Sequence, residues 1–244
     1  MIHFHPLGDQ AIQLVFGEQI DEDIHKQILH YMALLQEQTE LPITEAVPAY
    51  TTITLYYDAL KISYDELTQQ LRSLTNQLQK TPKVKRYIIE IPVLYGGDYG
   101  PDLADVASYH QLSIEEVISL HSSRPYLVYM LGFAPGFPYL GGLSPRIATP
   151  RLSRPRAKVA AGSVGIAGNQ TGVYSIESPG GWRIIGRTPL HLYEPENEQP
   201  ILLNAGDYIR FVPIGLTTFL ELQNARSIGQ EVQINRYIYS ECEE

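Results

Sequence analysis

The punctuation of the second half of the chain by glycine and proline is the feature that most restricts its fold. From about residue 125, helical periodicity is absent. Short apolar runs at 125–131, 157–166, 173–177, 182–186, 190–193, 208–213 and 217–222 are cut by Gly or Pro every 8–12 residues. Runs of that length between turn residues predict a β-sandwich or a closed barrel. Eleven of the 19 glycines lie between Gly132 and Gly186, so tight turns and close strand approach concentrate there.

The first 94 residues read differently. Residues 11–16 suggest a short strand. Ile24, Ile28, Met32 and Leu35 then form one face of an amphipathic helix, with Asp21 as its N-cap. Two β-branched, aromatic runs, 43–47 and 52–57, flank a Pro-containing turn. Ser63 and Glu66 make a capping box for a second helix carrying Tyr64, Leu67, Leu71, Leu74 and Leu78. Residues 86–94 complete a βαββαβ order, that of a ferredoxin-like α/β domain. Two short helices follow in 95–123, the second with a capping box at Ser113 and Glu116. The expected fold class is thus α+β, divided into an N-terminal α+β domain at 1–94, a helical connector at 95–123, a β-barrel domain at 124–222 and a C-terminal tail at 223–244.

Composition excludes several classes. With 44% hydrophobic and 10% aromatic residues the chain is globular, and no stretch approaches the ~18 uninterrupted apolar residues of a membrane span. The N-terminal MIHFHPLGDQ has no basic region followed by an apolar one, so no secretory signal is expected and the expected location is cytoplasmic. For the same reason the sequon Asn169-Gln170-Thr171 has no acceptor role. Cys242 is the single cysteine, which excludes an intramolecular disulfide framework and a Cys-based zinc site. His3 with His5, and His25 with His30, lack a third ligand at sensible spacing, so no metal is expected. His121 shares a helical face with Ile114, Val117 and Ile118 and reads as a packing residue.

Charge is uneven. Between Arg146 and Arg187 the chain carries seven basic residues (Arg146, Arg151, Arg154, Arg156, Lys158, Arg183 and Arg187) against Glu177, a net +6, whereas the whole chain is −9. A cationic, glycine-rich segment on an anionic protein suits a small carboxylate or phosphate and not a nucleic acid. The alternative is that these arginines tie loops together and face solvent. The run GSVGIAGNQTG matches neither Gly-x-Gly-x-x-Gly nor a P-loop. No Gly-x-Ser-x-Gly elbow occurs either. Ser163 and Ser178, beside glycines, fit ligand contacts and turn residues equally well.

The segment GFAPGFPYLGGL sets Phe133, Phe137 and Tyr139 among Pro135, Gly136 and Pro138. Two prolines that close do not fit a regular strand. A rigid irregular loop is predicted, either plugging a core or presenting a recognition surface, with Phe137-Pro138 a candidate cis peptide.

The strings YGGDYGPDL, LGFAPGFPYLGGL, TPRLSRPRAKVAAGSVGIAGNQTGVYSIESPGGW and IIGRTPL closely resemble the 5-oxoprolinase B-subunit family. That family also contains the sporulation kinase A inhibitor and is related to allophanate hydrolase subunit 1 of urea amidolyases. The resemblance runs from PLGD near the N-terminus to about residue 222. It implies a small N-terminal α+β domain, a C-terminal cyclophilin-like β-barrel, and a partner, the 5-oxoprolinase C subunit. With the A subunit, the complex would couple ATP hydrolysis to opening of 5-oxo-L-proline to L-glutamate, this chain being inactive alone. Carried over by motif, the positions of interest include Gly96, Gly97, Pro101 and Asp102; Gly136; Pro150 and Pro155; Gly162; and Thr188 and Pro189. Ser175 departs from the family, where proline is expected.

Within those motifs Arg151, Arg156 and Arg187 are the expected catalytic cations, stabilising charge at a transferring phosphoryl group. Ser163, Gln170, Thr171, Ser178, Gly180, Gly181 and Trp182 are expected at the substrate, and Phe133, Pro135, Phe137, Pro138 and Tyr139 at a partner surface. ATP is the expected co-substrate, on this chain or a partner. The competing reading is an inhibitor that docks its aromatic loop on a sensor histidine kinase, blocking autophosphorylation. A third, a carboxyltransferase-like module of urea metabolism, calls for a fused biotin-carrier or amidase region that the sequence lacks. Nothing in the sequence marks a prolyl isomerase site, since fold does not fix function.

Overall fold

The computed structural model describes residues 2–78, 86–230 and 232–239. The chain divides into two compact units, Met1–Val84 and Lys85–Glu244.

The first unit contains β1 (His3–Pro6), β2 (Ala11–Val15), α1 (Glu22–Gln36), β3 (Ile43–Pro48), β4 (Thr52–Tyr57) and α2 (Tyr64–Thr75). Its strands form one antiparallel sheet in the order β1-β2-β4-β3. The Asp21 carboxylate caps α1 by accepting from the amides of Asp23 and Ile24, and Ser63 with Glu66 closes a capping box on α2. Period-2 residues Ile12, Leu14, Ile53 and Leu55 meet helical residues Ile28, Tyr31, Leu67 and Leu71 in one core. The Tyr31 hydroxyl, buried between the helices, donates to the Leu71 carbonyl at 2.7 Å.

The expected βαββαβ closure does not occur. Residues 86–94 leave this sheet, and its fourth strand is β1, hairpinned to β2. The reason is burial. The run YIIEIPVLY hides Ile88, Ile89, Ile91 and Val93, so it has apolar residues on both faces, and such a strand belongs inside a larger sheet.

That strand is β5 (Tyr87–Tyr95), the spine of the second unit. It is followed by a 3₁₀ turn at Gly97–Tyr99, α3 (Leu103–His110), α4 (Ile114–Ser122), β6 (Tyr126–Leu131) and β7 (Pro138–Leu140). Then come β8 (Arg156–Val159), β9 (Ser163–Ala167), β10 (Gln170–Val173), β11 (Ser178–Gly180), β12 (Arg183–Arg187), β13 (Tyr208–Pro213), α5 (Leu216–Ser227) and β14 (Arg236–Ile238). Seven strands run in the order β12-β9-β10-β7-β6-β13-β5, and the β12–β5 pairing closes them into a barrel. β5 lies parallel to β13 on one edge and shares its other edge between β14 and β12. β8 and β11 form a separate ribbon.

The helices of 95–123 are not a free connector: Leu103, Val106 and Val117 join the barrel core. Residues 190–193 form no strand, and 217–222, counted among the short apolar runs of the barrel, is helix α5. Phe219 is the buried residue of that helix, so no apolar stripe announced it. The expected tail at 223–244 is the end of α5 and then β14, with Cys242 outside the described residues.

Candidate functional site

The loop between β6 and β7 is built by its own backbone. Ala134 N–H donates to the Gly132 carbonyl, Phe137 N–H to Ala134, and Gly132 N–H to Phe137. No peptide bond among the described residues is cis, so Phe137-Pro138 is trans. Within this turn Phe133 takes φ +63°, a left-handed conformation that costs a non-glycine residue roughly 1–3 kcal/mol and persists where surroundings impose it. Phe133 is also 69% exposed.

Phe137 is buried, which corrects its placement on the partner surface. Its ring meets Tyr139, Tyr174 and Trp182 edge-on at 5.3, 5.6 and 5.6 Å, and Phe133 at 5.5 Å. Such pairings orient the rings beyond the effect of burial alone. A Cβ at Gly180 would meet the Tyr174 hydroxyl, so only glycine lets that ring lie where it does. Burial raises the Tyr174 pKa, opposed by a hydrogen bond with the Trp182 backbone and by the charges of Arg151 and Arg156.

These rings wall a cleft of about 360 Å³, rimmed by Arg151, Pro155, Pro179, Gly180 and Gly181. Arg151 is exposed and makes no hydrogen bond or ion pair among the described residues. Its backbone is held on both sides: Leu152 N–H donates to Gly181, and Arg183 Nε donates to the Pro150 carbonyl. A free guanidinium at the mouth of an aromatic cleft offers a bidentate fork to a carboxylate while the rings shed water.

The three expected catalytic arginines do not converge. Arg156 Nη2 donates to Asp102 Oδ1 at 2.7 Å, and Asp102, nearly inaccessible, accepts the Ile184 amide on Oδ2 at 2.6 Å. Arg156 therefore neutralises a buried carboxylate that ties the start of α3 to β12. Arg187 Nε donates to the Ala161 carbonyl at 2.9 Å, and its side chain lines a different cavity that shares no residue with the aromatic cleft. Lys158 pairs with Glu177, and Arg183 with Asp105.

The expected substrate contacts divide likewise. Gly180, Gly181 and Trp182 line the cleft. Ser163 is buried in β9, Gln170 opens β10, and Ser178 has a buried hydroxyl with no partner among the described residues. The Ser175 hydroxyl, at the position where proline was expected, is in the same state. Thr171 is withdrawn from any ligand. Its Oγ1 donates to the Gly165 carbonyl at 3.0 Å and lies 2.8 Å from His121 Nε2. With that proton committed, the ring donates from Nε2 and its Nδ1 accepts from the Tyr95 hydroxyl at 2.7 Å. His121 is fully buried against Phe211, and burial lowers its pKa to about 3. The sequence reading missed Tyr174, whose only signal is an aromatic residue among glycines.

His3 and His5 stack on β1, and no group of three or more His, Cys, Asp or Glu able to hold a metal occurs among the described residues. Nor is any described helix long and apolar enough to cross a membrane.

Comparison with known proteins places this geometry. The family described as "Carboxyltransferase domain, subdomain C and D" matches residues 2–203. The chain is 46% identical over 218 residues to the B subunit of 5-oxoprolinase from Bacillus subtilis, covering 85% of this chain and 91% of that one. It is 42% identical over 208 residues to the Escherichia coli O157:H7 protein of the same name, covering 85% and 94%. Among solved structures, the Kluyveromyces lactis urea amidolyase superposes with a TM-score of 0.80 at 21% identity, over 98% of this chain but 16% of the amidolyase, a likeness of fold. The chain belongs to the 5-oxoprolinase B-subunit family, within the carboxyltransferase-domain proteins.

Proposed function

We propose that this chain is the B subunit of an ATP-dependent 5-oxoprolinase that opens 5-oxo-L-proline to L-glutamate, and that its aromatic cleft holds the cyclic substrate. One observation carries the site assignment: Arg151, free of protein partners, stands at the mouth of a cleft walled by Phe137, Tyr139, Tyr174 and Trp182. A five-membered lactam bearing one carboxylate matches it, with the carboxylate on the Arg151 fork and the ring against the aromatic faces. Arg151 is then a binding and positioning residue. Its fixed backbone sets where the lactam carbonyl stands, and the rings exclude water from it.

A triphosphate needs several cations and a phosphate-cradling backbone around it. Among the described residues the cleft offers one free guanidinium, so this reading assigns ATP to the partner A and C subunits. ATP supplies the activation that makes the lactam carbonyl electrophilic, and the isolated chain has no turnover. The cyclophilin-like description of the barrel and a cytoplasmic location belong to the same reading.

Exposed Phe133, held in a left-handed turn, favours the partner surface and is also what docking on a sensor histidine kinase would use. The test is ADP release from ATP plus 5-oxoproline by the A and C subunits with this chain included or omitted. Release only when it is included supports the proposal, whereas equal release in its absence refutes it.

A further inference from the structure

The second unit holds another cavity besides the aromatic cleft. It measures about 670 Å³, and its walls include Ala161, Arg187, Thr188, Leu190 and, from α5, Phe219 and Arg226. Its most organised feature is Arg187. A register shift in β12 between Ile184 and Gly186 precedes this residue, and such bulges re-aim the side chains beside them. The Ala161 carbonyl that accepts Arg187 Nε belongs to a fixed turn. Gly162 takes φ +81°, and a Cβ there would run into the Thr188 carbonyl. Gly162 N–H donates to Tyr174 and Thr188 N–H donates to Gly162, at 2.7 and 2.9 Å. Held through Nε alone, Arg187 keeps both Nη groups without a hydrogen-bond partner among the described residues.

Among the described residues the other charges of the cavity cancel. Arg226 Nη2 is paired with Glu194, whose carboxylate also accepts from Asn197 Nδ2 at 2.9 Å and lies 3.3 Å from His191 Nδ1. Among the described residues Glu194 thus offsets Arg226 and Arg187 remains unbalanced, in a protein whose net charge is −9. The volume is that of a small-molecule site, and Phe219 and Leu190 add apolar wall to the polar Thr188 and Gln223.

We propose that this cavity is a second ligand site, taking a small organic anion whose carboxylate or phosphate head sits on the Arg187 fork and whose body lies against Phe219 and Leu190. The inference does not depend on what the aromatic cleft binds. A role confined to fastening the turn at Ala161 would use only Nε, and it would not require a cavity at the Nη groups.

Benzoate and phenyl phosphate share a body and differ in the head, so they serve as probes. Their binding is measured by titration calorimetry on the full chain carrying Arg151→Met, which removes the free cation of the aromatic cleft. At least one probe is expected to bind with a Kd of about 1 mM or better. Adding Arg187→Met is expected to weaken it at least about tenfold. Gln223→Trp, which fills the cavity from exposed helix surface and leaves the Arg187 anchor intact, is expected to do the same and decides the matter if Arg187→Met fails to fold. The stronger probe identifies the head group. Absence of binding in the Arg151→Met chain, or binding that survives Gln223→Trp, overturns the proposal.

Discussion

The Tyr174 hydroxyl sits where a side chain at Gly180 would begin, so a glycine on β11 sets the position of the aromatic ring that floors the cleft. Gly180→Ala is expected to push that ring off its place, at an overpacking cost of about 1–3 kcal/mol. It should also lower substrate affinity. Thermal melts and 5-oxoproline KM in the reconstituted complex check this, and a variant with unchanged KM would show that the ring does not shape the site.

Arg156 was expected to be catalytic, and its contact with Asp102 assigns it to stability instead. Arg156→Met leaves a buried carboxylate without its partner, at a cost of about 3 kcal/mol. Pairing it with Asp102→Asn is expected to recover much of the loss, since the buried charge is then gone. Urea unfolding of the single and double variants measures the coupling, and additive losses would contradict the assignment.

Phe133 and Phe137 were both expected at a partner surface, and burial separates them. Phe137→Ala empties a position among three packed rings and is expected to cost about 3–5 kcal/mol. Phe133→Gly removes an exposed ring from a left-handed position that glycine adopts freely, so it is expected to keep or slightly raise the melting temperature. It should nonetheless weaken co-elution with the C subunit. Loss of stability with intact co-elution would place the partner surface elsewhere.

His121 gives a pH signature. Burial holds its pKa near 3 against an ordinary 6.5, so below pH 6.5 the unfolded chain takes up a proton that the folded one refuses. Its contribution is therefore fully present above pH 6.5 and is lost as pH falls toward 3, at up to about 1.4 kcal/mol per unit. His121→Gln is expected to be less stable at neutral pH, where the Tyr95 and Thr171 contacts are disturbed, but to lose less stability on acidification. Urea unfolding across this range compares the two slopes, and equal slopes would mean that His121 titrates normally.

Much of this architecture is written locally in the sequence. Capping boxes at Ser63 and Ser113 mark the starts of α2 and α4, and glycine spacing marks the barrel. Strand partners are not local. The apolar run Tyr87–Tyr95 declares a strand buried on both faces but does not name the neighbour it will choose, so β5 was read into the wrong sheet. Strand β1, HFHP, went unread because its apolar alternation is short, with only Ile2 and Phe4 set between His3 and His5 to meet the core. The arginines show the same limit at the site. Arg151 and Arg156 both adjoin prolines within one motif, and what separates them is Asp102, 54 residues before Arg156 and visible beside it only in the fold.

The substrate role of Arg151 is the centre of the account, and steady-state kinetics of Arg151→Met in the complex with the A and C subunits tests it most directly. The predicted result is a KM for 5-oxoproline raised at least about tenfold, equivalent to about 1.4 kcal/mol of binding, with the KM for ATP nearly unchanged. An unaltered KM for 5-oxoproline in a folded, assembled Arg151→Met complex would contradict it.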